Sequence, residues 1–107
     1  MRQAMYAAVL ITAPDRESGR KIARHLLERR LAACVNITPV SSMYWWEGKI
    51  EEAEEVMLVV KTTSDKINDV VREVRSIHPY QLPEIAALPI VAGHAEYLEW
   101  VKRETHP

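Results

Sequence analysis

Residues 33–62 read ACVNITPVSSMYWWEGKIEEAEEVMLVVKT. The stretch divides at Glu47-Gly48-Lys49, a turn signal with glycine at its centre. Before the turn, Ala33 to Trp46 reads as one long strand. Cys34, Asn36, Thr38, Val40, Ser42, Tyr44 and Trp46 point to one face; Val35, Ile37, Pro39, Ser41, Met43 and Trp45 point to the other. Pro39 cannot donate to a ladder, so this strand belongs at a sheet edge or carries a bulge. After the turn, Ile50 begins a return strand that ends in Val56-Met57-Leu58-Val59-Val60-Lys61-Thr62. Glu51-Glu52-Ala53-Glu54-Glu55 has helical propensity. A helix there has too few residues before the β-branched run, and acids are a known way to blunt an exposed strand edge. The whole stretch is therefore a long antiparallel hairpin.

Upstream, Met5 to Ala13 is a continuous apolar run bounded by Pro14, as expected of a buried central strand. Asp15 reads as an N-cap, and Ile22, Ala23, Leu26, Leu27 and Leu31 then fall on one helical stripe. Downstream, Ser64 reads as the cap of a second helix carrying Ile67, Val70, Val71, Val74 and Ile77 at helical spacing. His78-Pro79 stops it, because the residue before proline avoids the helical region. Glu84 to Ala92 reads as a fourth strand, with Pro89 again marking an edge or bulge. Gly93 breaks it, and Tyr97, Leu98 and Val101 form the stripe of a short last helix with Trp100 on its flank.

The order β-α-β-β-α-β-α predicts an α+β fold, the ferredoxin-like split βαβ sandwich: an antiparallel sheet, two helices on one face, and a C-terminal helix. No linker, repeat or low-complexity segment interrupts it, so residues 1–107 read as a single domain. One sheet face then lacks a cover. The long hairpin and the last helix are the means of covering it with another subunit. Three tryptophans, two of them adjacent in the hairpin, agree with this, since aromatic residues are enriched at interface cores.

Composition excludes several classes. At 48% hydrophobic and 27% charged, the chain is not disordered. A net charge of −1 supplies no global field for nucleic acid or an anionic membrane. Arg16, Arg20, Lys21, Arg24, Arg29 and Arg30 load the first helix. Asp15, Glu17 and Glu28 interrupt them and no aromatic platform is interleaved, so they read as a solvated face. No stretch approaches the ~20 apolar residues of a membrane helix. Arg2 with the apolar run Met5 to Ile11 faintly resembles an export signal, but Pro14-Asp15-Arg16 stands where a small-residue cleavage site belongs. With Cys34 as a lone thiol, this predicts a cytoplasmic protein.

Few residues carry chemistry. Cys34 lies among Leu31, Ala32, Ala33 and Val35, which suits a small packed residue; the alternative is a ligand or a nucleophile with His78 as its base. His78 stands at a helix end, where it can bond a carbonyl, or ligate copper or zinc as neutral imidazole. A threefold assembly would multiply such a ligand. His25, His94 and His106 read as solvated. Lys61-Thr62, at a strand end, and Tyr80 with Glu84, in a turn, form a second constellation: an ion pair, or the lining of a cleft for a small anion or polar ligand. Gly-rich phosphate loops, HExxH, GxSxG and Cys-x-x-Cys are absent.

Thr12-Ala13-Pro14-Asp15, Leu31-Ala32-Ala33-Cys34-Val35-Asn36, Tyr44-Trp45-Trp46-Glu47-Gly48-Lys49, Leu58-Val59-Val60-Lys61-Thr62, His78-Pro79-Tyr80-Gln81-Leu82-Pro83-Glu84 and Tyr97-Leu98-Glu99-Trp100 occur in this order. Together they resemble the CutA family of divalent cation tolerance proteins, over nearly the whole chain. The resemblance implies a ferredoxin-like protomer in a tight homotrimer, similar in architecture to the PII signalling proteins, with hairpin strands extending the neighbour's sheet. It implies a non-enzymatic binding or signalling role in tolerance to copper and other divalent ions, with Cu²⁺ as ligand and no required cofactor.

Some relatives carry a cysteine before Thr-Ala-Pro-Asp and a second histidine before His-Pro. Here those positions are Ile11 and Ile77, which ligate nothing. Many relatives have Glu where Gln81 stands. The implied metal site is therefore weak and intersubunit, made by His78 with Glu84 or with acids of the 51–55 run. By analogy with PII proteins, Cys34, Trp46, Lys61, Tyr80 and Glu84 are candidates to line an intersubunit cleft for a small ligand. A Cys34-dependent enzyme is a third reading.

Overall fold

The computed structural model describes residues 4–107. Arg2, where the export-signal reading begins, lies outside them. The apolar run forms β1 (Tyr6–Ala13), followed by α1 (Arg16–Glu28), β2 (Cys34–Trp46), β3 (Lys49–Thr63), a 3-10 turn over Ser64–Lys66, α2 (Ile67–Ile77), β4 (Ile85–Ile90) and α3 (Ala95–Thr105). The strand order is β2-β3-β1-β4, antiparallel throughout. This is the split βαβ order read from the sequence. Pro39 and Pro89 lie on β2 and β4, the two outer strands, where a missing N–H is tolerated.

The register decides where the core sits. Val9 faces Val60, Ile11 faces Leu58 and Ala13 faces Val56, so all six point to one side of the sheet. Ile22, Ala23 and Leu26 of α1 and Val70 and Val74 of α2 pack onto them. Gly19 allows the close approach of α1, since a Cβ there would come within 2.9 Å of Val56 Cγ2.

Three local expectations change. Leu27 is 39% exposed, and Leu31 is buried although it lies beyond the end of α1. Arg30 adopts the left-handed region (φ 59°), the Leu31 N–H bonds to the Leu26 carbonyl at 2.9 Å, and the chain folds Leu31 back under the helix. Ser64 does not cap α2; its hydroxyl donates to the Ala4 carbonyl at 2.6 Å. Ile77 is exposed, because Val74 is the last residue of α2 to reach the core.

The second sheet face is only partly covered. It carries Leu10, Met57 and Val59, half-buried, and Leu88, exposed. At one end α3 packs against β3, burying Val101 apart from the main core. At the other end the hairpin outruns the sheet. The β1–β3 pairing stops at Ala13–Val56, whereas β2–β3 continues from Val40–Glu55 to Trp46–Lys49. Glu47 (φ 49°) and Gly48 (φ 80°) close it with the left-handed pair that suits a two-residue hairpin loop. The ribbon helps stretch the molecule to 43 Å along its longest axis. Met43, Trp45 and Ile50 are exposed on it.

Candidate functional site

β1 ends at Ala13 because Pro14 follows, and the site is built in the space this leaves. Glu55 lies one residue beyond the last β1–β3 pair, so no β1 residue stands beside it. The turn 78–84, between α2 and β4, folds over that place. His78 clasps it there. The buried ring meets the Thr12 carbonyl through Nε2 at 2.7 Å, and its Nδ1 lies 3.0 Å from the Tyr80 N–H. The carbonyl accepts and the amide donates, so the ring is the Nε2–H tautomer with its Nδ1 lone pair already used.

Tyr80 then reaches across the gap. Its hydroxyl donates to Glu55 Oε2 at 2.7 Å. Burial pushes the phenol well above its usual value, and the Glu55 carboxylate adds to this. Glu55 is only 8% exposed. The ion pairs among the described residues use Glu73, Glu104, Asp69 and Asp65, and none uses Glu55. A cleft of about 680 Å³ opens between the turn and the ribbon. Tyr44, Trp45, Trp46 and Tyr80 line it with Thr12, Ser41, Glu55 and Glu84, and among the described residues no Lys, Arg or His does.

The structure splits the predicted cleft residues into two groups. Trp46, Tyr80 and Glu84 share this cleft. Cys34 and Lys61 pair with one another at the start of β2, some 12 residues or roughly 40 Å of strand from Trp46. There the Lys61 ammonium donates to Asn36 Oδ1, so within one protomer it forms no ion pair with Glu84. Cys34 is half-buried against Tyr97 of α3, whose hydroxyl is pushed up by burial first and by the thiol second. His78 bonds at Thr12, roughly 16 Å away by strand spacing, and is no base for Cys34 within the protomer.

The metal reading meets a similar obstacle. Among the described residues, no three His, Cys, Asp or Glu side chains gather to hold an ion. His78 offers no free lone pair, and Glu84 is exposed on the cleft wall. A His78–Glu84 site does not fit one protomer. The sequence reads Glu55 only as one acid of the 51–55 run, which blunts a strand edge or supports a weak metal site. Its distinguishing sign is alternation: it shares a sheet face with Met57 and Val59, so it points where the turn arrives.

A split βαβ protomer with a protruding aromatic ribbon and an acidic cleft at its root defines a recognisable class of small α/β protein. The family described as CutA1 divalent ion tolerance protein matches residues 7–104. The divalent-cation tolerance protein CutA of Archaeoglobus fulgidus is 50% identical over 97 residues, covering 91% of this chain and 95% of that one. Its counterpart in Thermus thermophilus is 48% identical over 102 residues, covering 94% and 99%. The solved structure of the periplasmic divalent cation tolerance protein CutA from Archaeoglobus fulgidus superposes with a TM-score of 0.94 at 47% identity, covering 95% of this chain and all of that one. The chain belongs to the CutA family of divalent cation tolerance proteins.

Proposed function

We propose that this chain serves divalent-cation tolerance as a non-enzymatic binding protein, a homotrimer of PII-like architecture whose ligand clefts lie where subunits meet. The observation that carries the reading is the unfinished sheet. One face keeps apolar residues half-exposed, and the ribbon holds Met43, Trp45 and Ile50 in solvent at 69%, 73% and 58% exposure. Bare strand edges and clustered exposed aromatics are what an interface covers. Light scattering at nanomolar dilution should give three times the 12.3 kDa chain mass; a stable 12.3 kDa particle overturns the reading.

The metal role follows the family, with a change of ligands. Cu²⁺ binding is weak, shared between subunits and carried by cleft carboxylates such as Glu84, because His78 is occupied. Calorimetry should show Cu²⁺ uptake that falls in Glu84→Gln; unchanged stoichiometry and affinity there would remove the assignment. The non-enzymatic reading rests on Cys34, which lies against Tyr97, while the Lys61 ammonium of the facing strand is held by Asn36. A thiol reagent should label it fast only after denaturation. A free thiol also favours a cytoplasmic location, which fractionation tests. No helix of the described residues is long and apolar enough to cross a membrane.

A further inference from the structure

The outer flank of α1 carries a row of cations that the protomer leaves unused. Arg16, Arg20 and Arg24 stand four residues apart, so they follow one another about 6 Å apart along the helix. All three are exposed, and so is Lys21 beside them. The ion pairs among the described residues take Arg29, Arg30 and Arg72, and none takes these four. Like charges at this spacing weaken a helix, and Arg16 stands in the first turn, where the helix dipole disfavours a cation. Glu17 and Glu28 offset only part of the charge, and the Asp15 carboxylate is engaged by the Ser18 N–H. Beside the row, between α1 and β2, lies a hollow of about 300 Å³ floored by Ala23, Leu27 and Ile37. Leu27 belongs to the apolar stripe read from the sequence, yet it is 39% exposed. This flank lies on the helix side of the sheet, opposite the half-bare face assigned above to a neighbouring subunit.

We propose that this flank of α1 docks an acidic, extended segment of a protein partner. Alternate side chains of an extended chain lie roughly 7 Å apart on one face, which matches the arginine spacing. Carboxylates on that face therefore meet the guanidinium groups one to one, the geometry that arginine recognises best. An apolar side chain of the same segment fills the hollow over Leu27 and Ile37. The apolar floor chooses among anions: it offers a phosphate backbone nothing, and α1 has no Trp, Tyr or Phe on which a base could stack. The inference goes beyond the cation-tolerance reading and uses none of its ligand clefts.

The test follows the fluorescence anisotropy of a labelled peptide that alternates glutamate with leucine, titrated with the wild-type protein at low and at physiological salt. The same peptide with glutamine for glutamate, a single-stranded DNA of equal charge, and phosphatidylserine vesicles are the other arms. The acidic peptide should bind best, and less as salt rises. The variant carrying Arg16→Gln, Arg20→Gln and Arg24→Gln changes only exposed side chains. It should weaken peptide binding about tenfold or more with circular dichroism unchanged. Arg20→Gln alone should weaken it less, and Leu27→Ala should weaken the peptide without changing the DNA arm. A wild-type protein that ignores the acidic peptide, equal binding of the glutamine peptide, or full binding by the triple variant overturns the proposal. Tighter binding of DNA or vesicles overturns it too, because the flank then reads phosphate. Light scattering accompanies each titration. A triple variant that falls to a smaller particle overturns the proposal, since the arginines then serve a neighbouring subunit. A wild-type protomer that binds the peptide as a 12.3 kDa particle supports it and breaks only the trimer reading.

Discussion

The two halves of β3 belong to one strand and live in different surroundings. In the inner half, Val56, Leu58, Val60 and Thr62 are buried beneath the helices. In the outer half, Lys49 to Glu54 stay largely in solvent, and Ile50 is 58% exposed. Intrinsic propensity separates them, helical over the acidic run and β-forming after it, yet both halves are strand, so propensity does not decide the difference. The difference is the third strand: β1 runs beside the inner half and stops at Ala13. A two-stranded ribbon has no face to bury against and is marginal alone. Glu55 stands at the junction, buried by a turn from elsewhere in the chain rather than by its own strand.

The sharpest way to break this comparison is to remove a side chain from the inner half. Leu58→Ala leaves a cavity under α1 at a fully buried site. The expected loss is about 2–5 kcal/mol in denaturant unfolding, from lost transfer energy and the residual cavity. A loss under about 1 kcal/mol would mean that the helices collapse onto the sheet and that the inner half is not a tight core.

His78→Ala comes next. It opens the junction by leaving the buried Thr12 carbonyl and the Tyr80 amide without their partners. The expected cost is about 1–3 kcal/mol, the range for stranding buried polar groups. The variant should also loosen the 80–84 turn, read as faster amide exchange at Tyr80. Unchanged exchange would show that the Tyr80–Glu55 bond alone holds the turn.

Much of this arrangement was legible in the sequence because it is written locally. Alternation by two set the hairpin register, and Pro39 and Pro89 marked both outer strands by chemistry that needs no tertiary context. The misplaced features depend on distant parts. Burial of Glu55 follows from where β1 ends and where the turn after α2 lands. Leu31 is buried as its place on the apolar stripe predicts, but by a local device the sequence does not announce: Arg30 takes a left-handed conformation that glycine usually signals. His78 was read as able to bond a carbonyl at its helix end; the carbonyl it finds is that of Thr12, 66 residues away. The split of Cys34 and Lys61 from Tyr80 and Glu84 follows from strand lengths and register, which a list of candidate residues does not contain.

A smaller effect is expected at the far end of the inner half. The Asp65 carboxyl is held below the usual carboxylate range by the Thr63 hydroxyl first and by His106 second. A lowered folded pKa means that the stabilisation is complete above the unfolded value, about 3.9, and is lost as pH falls through the lower folded value. Asp65 is 60% exposed, so solvent screening keeps the contribution below about 1 kcal/mol. The stability gap between wild type and Asp65→Asn should therefore be present near neutrality and close as the pH falls through the lowered carboxyl pKa. A gap that widens with acid would contradict the sign.

The smallest effect on the fold itself is expected at the ribbon tip, and it is the most instructive. Trp45 faces Ile50 across the hairpin and is 73% exposed, so neither the helices nor the sheet gains much from it. Trp45→Ser should change the stability of the protomer fold by no more than about 0.5 kcal/mol, as for other surface sites. The same substitution removes a large apolar anchor from the proposed interface, where such residues carry disproportionate energy. Dilution followed by light scattering should therefore show the variant dissociating at higher concentration than wild type, while its circular dichroism is unchanged. Loss of assembly without loss of fold would mean that the outer half of β3 owes its length to a neighbouring subunit. Loss of fold with assembly intact would reverse the comparison, because the ribbon would then be part of the protomer's own core.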